Sequence, residues 1–533
     1  MPLLKKRKRQ PLPIIRIDFT KHLFSDELVL GTFAYLAAHD LIECGKVNRA
    51  WSRLARDTGL WRPLFEERFD RPLSTFKAKW NPMAEYQLPY ANWKDQYRIH
   101  QNWLTGYCTS YRLDNVAALA DESNTYNGHK LQGLLQYTND ILCICSQSRK
   151  QVEIWHTDKT TTRLIGNIID DKLDDRQKIT YMKLKTRECD DSESIGNQQN
   201  YILIIGNSYG GFGVWKFTTA TDTSRTRLSG IRRTCHYQQN HHKDPVVAMD
   251  VLHPMLILCT ANMKLQAFDI DQLSPRQIFK IESPVRWCPV VVHLSQHHLP
   301  SQWKALLCFG VNFGGQSSLG AQEMIFSTHG ITSSRHSSIF NPISSMHDRP
   351  NRFYSPPTSS PPTSSPPTSP STPSSSPSNH TNATSLSDLF PDSINNPTMT
   401  SMVYSDPFIM TAYSTNTIRQ YRVKSTDDGF HVDFVKTLFG HTCQVSSLAL
   451  DVDEGRLISG SRAGLKLWDL LSLDQYTKRA NDYVVTLQPE ESGAMDIPMD
   501  DIIWMQVDKV KIIALLRNGN DNKKWFKIWS FDP

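Results

Sequence analysis

The chain has 533 residues, of which 39% are hydrophobic and 10% aromatic, so a wholly disordered protein is excluded. Its length predicts roughly two to four ordinary domains, or fewer if one of them is a large all-β domain. No run of about 18 uncharged apolar residues occurs, so we expect no membrane-spanning helix and no membrane partner. The formal net charge of +6 is small for this length and gives no reason to expect nucleic acid as a partner.

Two features bear on the compartment. The ten cysteines include no CxxC pair, so neither a disulfide framework nor a zinc site is indicated, and a reducing compartment fits. The N-terminal tail, residues 1–19, carries a basic block at residues 5–9 and no apolar run long enough for a secretory signal. Such a block is either a solvated tail or a nuclear import signal. We therefore expect the protein in the nucleus and the cytoplasm.

Residues 20–70 have the pattern of short helices. Ser25 is expected to cap the first helix, with Asp26 and Glu27 in the first turn, where the helix dipole favours acids. None of these helices buries its apolar stripe alone, so they must pack on one another or on a partner. Residues 71–103 are expected to form a linker that contains one further helix.

Residues 104–533 change in character to short β-branched runs separated by turn residues. Seven hairpin units recur, and each contains a strand that ends in an aromatic residue: Trp155, Trp215, Phe268, Phe326, Tyr421, Trp468 and Trp529. A four-stranded propeller blade takes about 40–45 residues, and most of these units are somewhat longer. The pattern predicts an all-β propeller, with seven blades, in which neighbouring sheets bury one another's faces.

One stretch of the second half does not fit a blade. Residues 354–378 hold nine prolines but no charged residue and no aliphatic core residue. Such a segment cannot bury enough apolar surface to offset its ordering entropy, so we predict a disordered insertion between two blades, from about residue 328 to about residue 402. Its Ser-Pro and Thr-Pro steps are either targets of proline-directed kinases or part of a drifted low-complexity loop.

The sixth unit, residues 440–470, begins with Gly-His and ends with Trp-Asp, and in this it resembles the WD repeat. The resemblance implies a hydrogen-bonded set of His441, Ser459 and Trp468 that fixes the internal geometry of the blade. The family usually has an Asp in the tight turn as a fourth member, where this chain has Ala463. The resemblance also implies that a lone strand within residues 104–114 pairs with the last blade and closes the ring.

The helical segment from residue 24 to residue 64, "FSDELVLGTFAYLAAHDLIECGKVNRAWSRLARDTGLWRPL", resembles the F-box. Phe24 and Ser25 stand where that family usually has Leu-Pro. The whole chain thus resembles the F-box/WD-repeat proteins, a small all-α F-box followed by a WD-repeat propeller. Members of that family are substrate receptors of SCF-type ubiquitin ligases.

What the resemblance implies is that the F-box docks on the Skp adaptor, and through it on a cullin, while the propeller holds a protein substrate. The expected adaptor contacts are apolar residues of the helices: Phe24, Leu28, Leu36, Leu41, Val47 and Trp51. The alternative is that these residues are simply the core of a small helical bundle. A propeller scaffold without ubiquitin transfer also stays open, as does a nucleic-acid-associated propeller, which only the basic N-terminus favours.

No catalytic motif points to an enzyme. The sequence contains no Walker loop, no GxSxG and no HExxH, and the neighbouring His241 and His242 would point apart on a strand or loop. A receptor of this kind works by proximity, so we expect no catalytic residue, no cofactor and no metal in this chain.

Three arginines are candidates for substrate binding. Arg149 and Arg462 lie six residues before the aromatic residues of their blades and so occupy the same turn, while Arg286 is expected early in the first strand of a blade. The planar guanidinium suits phosphate, so these residues would read an acidic or phosphorylated degron, as some members of the family do. The alternative is that they are ordinary solvated arginines.

Overall fold

The computed structural model describes most of the helical segment and most of the propeller. The described residues are 25–80, 92–113, 133–146, 148–158, 161–174, 176–187, 198–222, 225–239, 242–271, 274–284, 288–299, 301–313, 316–340, 397–426, 429–473, 484–487, 500–519 and 523–532. The basic block at residues 5–9 and the Pro-rich stretch 354–378 lie outside them. Within these ranges no helix is both long enough and apolar enough to cross a bilayer.

The N-terminal part is helical. Its elements are α1 (Asp26–Phe33), α2 (Ala38–Val47), α3 (Arg49–Leu54), α4 (Thr58–Phe65), a π-helix (Glu66–Asp70), α5 (Arg71–Trp80) and α6 (Trp93–Thr105). Side chains cap several of them: Asn48 accepts a hydrogen bond from the Trp51 amide, and Asp57 accepts one from the Gly59 amide. Ser25 stands at the N-cap of α1 as predicted, but its side chain makes no capping hydrogen bond.

The second part consists of seven four-stranded antiparallel sheets, numbered here in chain order. Sheet 1 contains β2 (Leu135–Thr138), β3 (Ile141–Cys145), β4 (Gln151–Thr157) and β5 (Thr162–Ile169). Sheet 2 contains β6 (Ile179–Arg187), β7 (Gln198–Asn207), β8 (Phe212–Asp222) and β9 (Arg225–Tyr237). Sheet 3 contains β10 (Val246–Leu252), β11 (Met255–Thr260), β12 (Lys264–Asp269) and β13 (Arg276–Glu282).

Sheets 4 to 7 follow the same order. Sheet 4 contains β14 (Val290–Gln296), β15 (Gln302–Phe313), β16 (Gln316–Ser327) and β17 (Gly330–Phe340). Sheet 5 contains β18 (Met399–Ser405), β19 (Phe408–Tyr413), β20 (Ile418–Thr426) and β21 (Gly429–Leu438). Sheet 6 contains β22 (Val445–Asp451), β23 (Arg456–Ser461), β24 (Gly464–Asp469) and β25 (Val484–Leu487), with the short helix α7 (Leu470–Leu473) before β25. Sheet 7 contains β26 (Asp501–Val507), β27 (Lys511–Arg517), β28 (Lys524–Ser530) and, as its outer strand, β1 (Thr109–Leu113).

The sheets form a closed ring. The first strand of each sheet contacts the first strand of the next, through β2, β6, β10, β14, β18, β22 and β26 and back to β2. The first strands therefore line the centre, and the fold is the predicted seven-bladed propeller. The predicted closure is also confirmed, because β1 pairs with β28 from Thr109 opposite Ser530 to Leu113 opposite Phe526. This pairing leaves sheet 7 complete without a fourth strand from the C-terminus.

The aromatic residues that marked the blades all lie on third strands, where they pack between neighbouring sheets. Trp215, for example, is buried in the cluster between sheets 1 and 2, together with Met182 and Leu203. The second strands are buried along most of their length and are therefore visible in the sequence as apolar runs, whereas the third strands are marked mainly by their aromatic residue.

The disordered insertion was predicted over too wide a range. The structure places strand β17 at residues 330–340, inside the predicted range of about 328–402, and strand β18 at residues 399–405, which begins inside that range. Strand β17 pairs with β16 along nearly its whole length, from Ser327 opposite Gly330 to Ser318 opposite Phe340. It was missed because an outermost strand needs few apolar side chains, and "GITSSRHSSIF" is mostly polar.

Candidate functional site

The helices α1 to α4 build a small apolar core of their own. Its most buried members are Val29, Phe33, Leu41, Leu54, Ala55, Leu60, Trp61 and Phe65, each no more than 6% exposed. The indole N–H of Trp61 donates to the Ala55 carbonyl oxygen at 2.7 Å, so this large side chain is buried without an unmet polar group. An ion pair of 2.6 Å between Arg53 and Asp26 joins α3 to α1.

Four large apolar side chains of α1, α2 and the turn between them stay outside this core. Leu28 is 61% exposed, Tyr35 92%, Ile42 42% and Val47 59%. We call these four residues the apolar surface. Single exposed apolar residues are common, but four on two consecutive short helices and the turn between them make this segment a candidate for contact with another protein.

The predicted adaptor contacts divide between this surface and the core. Leu28 and Val47 belong to the apolar surface, whereas Leu36 and Trp51 are half-buried against the helical core. Leu41 is only 1% exposed, so its prediction as a contact is corrected: it stabilises the helices from inside. Phe24 lies outside the described residues.

The sequence reasoning missed two members of the apolar surface, Tyr35 and Ile42. Tyr35 follows the end of α1, where the helical spacing of apolar residues no longer indicates which way a side chain points. Ile42 sits next to the buried Leu41 on α2, and the sequence alone does not show which of two adjacent apolar residues faces the core.

Helix α6 joins the F-box helices to the propeller. On one side, the ring of Tyr97 packs edge-on against Trp61 at 5.5 Å and against Phe69 at 5.1 Å. On the other side, Trp103 stacks on Phe531 with ring centroids 3.6 Å apart, and its indole N–H donates to the Lys509 carbonyl oxygen at 2.9 Å. The helix therefore has one face in each core and holds the two parts together.

Charged groups surround this contact. His100 of α6 lies 3.0 Å from the Glu454 carboxylate, and Arg456 lies 3.6 Å from the same carboxylate and over the Trp103 ring at 4.5 Å. Burial alone would raise the pKa of Glu454, but the hydrogen bond to His100 and the charge of Arg456 outweigh it and lower the pKa to about 2. The carboxylate is thus ionised and holds α6 on sheet 6.

The helices bind at one end of the propeller, which we call the lower end. This end carries the turns between first and second strands, such as residues 139–140 in sheet 1, 452–455 in sheet 6 and 508–510 in sheet 7. Helix α6 contacts the turns of sheets 6 and 7, and Phe76 of α5 stacks on Phe408 of sheet 5 at 5.8 Å. Because strands are antiparallel, the turns between second and third strands lie at the opposite, upper end.

The upper end carries two of the three candidate arginines. Arg149 lies in the turn between β3 and β4, with a positive φ of 55°, and it is half-buried; Arg462 lies in the turn between β23 and β24 and is exposed. The structure does not bring them together, because they belong to sheets 1 and 6 with sheet 7 between them. Arg286 lies outside the described residues, and the strand in which it was expected begins only at Val290.

An exposed aromatic residue at the same end was not predicted. Phe439 follows β21 directly and is 73% exposed, in the connection between sheets 5 and 6. In the sequence, Phe439 is marked only by its position directly before the Gly-His pair of the sixth unit. Aromatic residues and arginine are enriched in protein interfaces, so Phe439 and Arg462 make this part of the upper end suited to a peptide or protein.

The predicted hydrogen-bonded set of sheet 6 is present. His441 Nε2 lies 2.6 Å from Ser459 Oγ, and the Trp468 indole N–H donates to the same oxygen at 2.8 Å. The other ring nitrogen of this imidazole, Nδ1, lies 3.1 Å from Ser461 Oγ. Ser461 also accepts from the Ala463 amide, so it completes the set where the usual Asp is missing.

Burial affects the charge of this histidine. His441 is 8% exposed, and burial, helped by the charge of Lys466, lowers its pKa to about 4. The imidazole is therefore neutral at physiological pH and serves the blade as a structural hydrogen-bonding group. In the part of the chain that the structure covers, no three His, Cys, Asp or Glu side chains are placed to hold a metal ion.

Comparison with known proteins gives two family matches. A family model described as "F-box protein pof12 beta-propeller" matches residues 125–501, and one described as "F-box-like" matches residues 26–67. The chain belongs to the F-box proteins that carry this β-propeller. The first match spans sheets 1 to 6 of the ring, and the second spans helices α1 to α4.

Two curated relatives match a short part of this F-box protein. They are the "F-box/LRR-repeat protein 5" of Xenopus tropicalis, 33% identical over 84 residues, and that of Xenopus laevis, 32% identical over 84 residues. In both cases the match covers 14% of this chain and 12% of the relative's length.

Solved structures were matched over the propeller. They include the computationally designed Ika8 protein (TM-score 0.35, 11% identity, 75% of this chain and 96% of that one). They also include Sqt1 of Saccharomyces cerevisiae (TM-score 0.35, 7% identity, 73% of this chain and 82% of that one). A third is the WD40 β-propeller domain of Doa1 (TM-score 0.34, 10% identity, 75% of this chain and 93% of that one).

Proposed function

We propose that this F-box protein is the substrate-recognition subunit of an SCF-type ubiquitin ligase. The F-box docks on the Skp adaptor, and through it on a cullin, and the propeller binds the protein that is to be ubiquitinated. The observation that carries the proposal is the apolar surface. The helical core is complete without these four side chains, so their exposure serves a partner and not the fold of the helices.

The subunit itself is non-catalytic. It raises the effective concentration of the substrate's lysines near the charged ubiquitin-conjugating enzyme, so its contribution to the rate is proximity. Proximity requires that adaptor and substrate are held at a fixed separation. The contacts of Trp103 and His100 with sheets 6 and 7 supply that rigidity, and they leave the upper end, opposite the F-box, open to a substrate.

The test replaces Leu28 and Val47 together with Asp. Both side chains are more than half exposed, so the helices should still fold, as the melting temperature would show. Burying an unpaired carboxylate in an adaptor interface costs several kcal/mol, and since about 1.4 kcal/mol is tenfold in affinity, a micromolar complex would be lost. The measurement is the amount of Skp adaptor and cullin that co-purifies with the full chain.

The matched control is Leu164→Asp, which puts the same charge on an apolar side chain of β5 that is 41% exposed. It should leave adaptor binding at the wild-type level. If the Leu28/Val47 variant is folded and still retains the adaptor, the proposed docking surface is wrong. If the wild-type protein retains the adaptor but no cullin, the chain is a propeller scaffold without a role in ubiquitin transfer.

A further inference from the structure

The centre of the ring contains a cluster of charged side chains contributed by three neighbouring sheets. Lys183 and Lys185 lie on β6, Asp250 on β10 and His293 on β14, which are the first strands of sheets 2, 3 and 4. First strands line the channel, so these groups meet at its wall. The cluster lies apart from the F-box and from the upper-end arginines.

Both lysines share one carboxylate. Lys183 Nζ lies 3.4 Å and Lys185 Nζ 2.8 Å from the same oxygen, Asp250 Oδ1. The other oxygen, Oδ2, accepts a hydrogen bond from the Leu294 amide at 2.9 Å and lies 3.4 Å from His293 Nδ1. Two ammonium groups and an imidazole thus face a single negative charge.

The carboxylate is buried, whereas the groups around it are partly exposed. Asp250 is 1% exposed, while the side chains of Lys183, Lys185 and His293 are 28%, 33% and 34% exposed. Each ammonium group has three N–H donors, and one carboxylate oxygen cannot use them all. The cluster therefore has donors that this carboxylate does not use.

The cluster has one ammonium charge in excess, because two lysines share one carboxylate. Burial alone would raise the pKa of Asp250, but Lys183, His293 and Lys185 hold it well below its usual range. Burial would lower the pKa of Lys183, yet the Asp250 carboxylate outweighs it and leaves that pKa raised. For Lys185, burial and the nearby charge of Lys183 lower the pKa. The carboxylate thus compensates only one of the two ammonium charges.

We propose that the central channel binds a phosphate group at Lys183, Lys185 and His293. The uncompensated lysine supplies the charge, and the free N–H donors of both ammonium groups supply charge-assisted hydrogen bonds. The ligand is either a small phosphorylated molecule or a phosphorylated side chain, and both present the same group. This site is independent of the proposed role in ubiquitin transfer, because it uses no residue of the F-box.

The test measures binding of inorganic phosphate to the full chain by titration calorimetry at low salt, with chloride as the comparison anion. Lys185→Met removes the excess charge and leaves the Lys183–Asp250 pair intact, so the protein should fold as well as the wild type. Phosphate affinity should fall at least tenfold. The matched control is Lys280→Met, which removes one charge from an outer-strand pair with Glu282 and should change nothing.

A second variant changes the affinity in the opposite direction. Asp250→Asn keeps an oxygen for the Leu294 amide but removes the compensating charge, so phosphate should bind several-fold more tightly. Pyrophosphate and a phosphoserine peptide, compared with its unphosphorylated form, then distinguish a free anion from a modified side chain. The proposal is overturned if the wild type binds phosphate no better than chloride, or if Lys185→Met binds it as the wild type does.

Discussion

His441 should make the free energy of unfolding of the wild-type propeller fall when the pH drops from 7 to 5. The variant His441→Gln should lack this contribution. The ordinary pKa of histidine is about 6.5, and burial lowers that of His441 to about 4. Between these values the unfolded chain binds a proton that the folded chain excludes. The stabilisation is therefore complete above pH 6.5 and is lost as the pH falls towards 4.

Linkage gives the magnitude. The free energy of unfolding should fall by about 2 kcal/mol between pH 7 and pH 5, and by about 3 kcal/mol at pH 4. Other groups titrate in the same window with the opposite sign: burial raises the pKa of Asp451 to about 6, so its protonation stabilises the fold as the pH falls. Only the difference between wild type and variant isolates His441.

The assay is urea unfolding of the full chain at pH 7 and pH 5. His441→Gln keeps an amide near Ser459 Oγ, in place of Nε2, but cannot titrate. It should be less stable than the wild type at pH 7, and the gap should narrow by about 2 kcal/mol at pH 5. His329→Gln, on an exposed turn of sheet 4, is the matched control and should follow the wild type. Equal losses in wild type and His441→Gln would refute the reasoning.

Four further outcomes are expected. Trp103→Ala deletes a stacked, hydrogen-bonded indole and should lower the stability by about 3–5 kcal/mol. Limited proteolysis between the helices and the propeller should become faster, and an unchanged rate would contradict the rigid joint. Deleting residues 354–378 should leave the melting temperature nearly unchanged, since loop closure depends only logarithmically on length, and a drop of many degrees would show that they pack on the ring. Arg149→Glu with Arg462→Glu should change the set of captured substrates in a phosphatase-sensitive way, and unchanged capture excludes these arginines. Alanines at residues 5–9 should move the protein from nucleus to cytoplasm in imaging, and an unchanged distribution favours a solvated tail.

The ring itself could be predicted from the sequence because its second strands are buried on both faces. Such strands are short apolar runs, and an aromatic residue such as Trp155 or Tyr421 marks each third strand, in which buried and half-buried residues mix. The outer strands carry much less signal, since one side of each faces solvent. That is why β17 was assigned to the disordered insertion although it pairs with β16 along nearly its whole length.

The candidate sites were predictable only in part. A short amphipathic helix shows which residues are apolar, but it does not show whether they face their own core or a partner. Leu41 and Val47 lie on the same helix and were assigned the same role, yet Leu41 is 1% exposed and Val47 59%. Whether an apolar residue faces the core or a partner depends on how the helices pack, and the sequence pattern of a single helix does not contain that information.

The channel cluster had no signal in the sequence at all. Lys183, Asp250 and His293 come from three separate blades, and each one alone is an ordinary polar residue in a strand. Only the closure of the ring brings their strands side by side at the centre. Sites of this kind are found from coordinates, because no spacing along the chain encodes them.

The joint between F-box and propeller lies where the ring closes. Helix α6 ends at Thr105, Gly106 reverses the chain with a φ of 74°, and strand β1 begins at Thr109. A Cβ on Gly106 would lie 2.5 Å from Val485 Cγ1, so the turn is packed tightly against sheet 6. Because β1 is the outer strand of sheet 7, tilting α6 would strain the pairing that closes the ring. The orientation of the apolar surface is thus fixed by the same strand that completes the propeller, as the proposed receptor role would require.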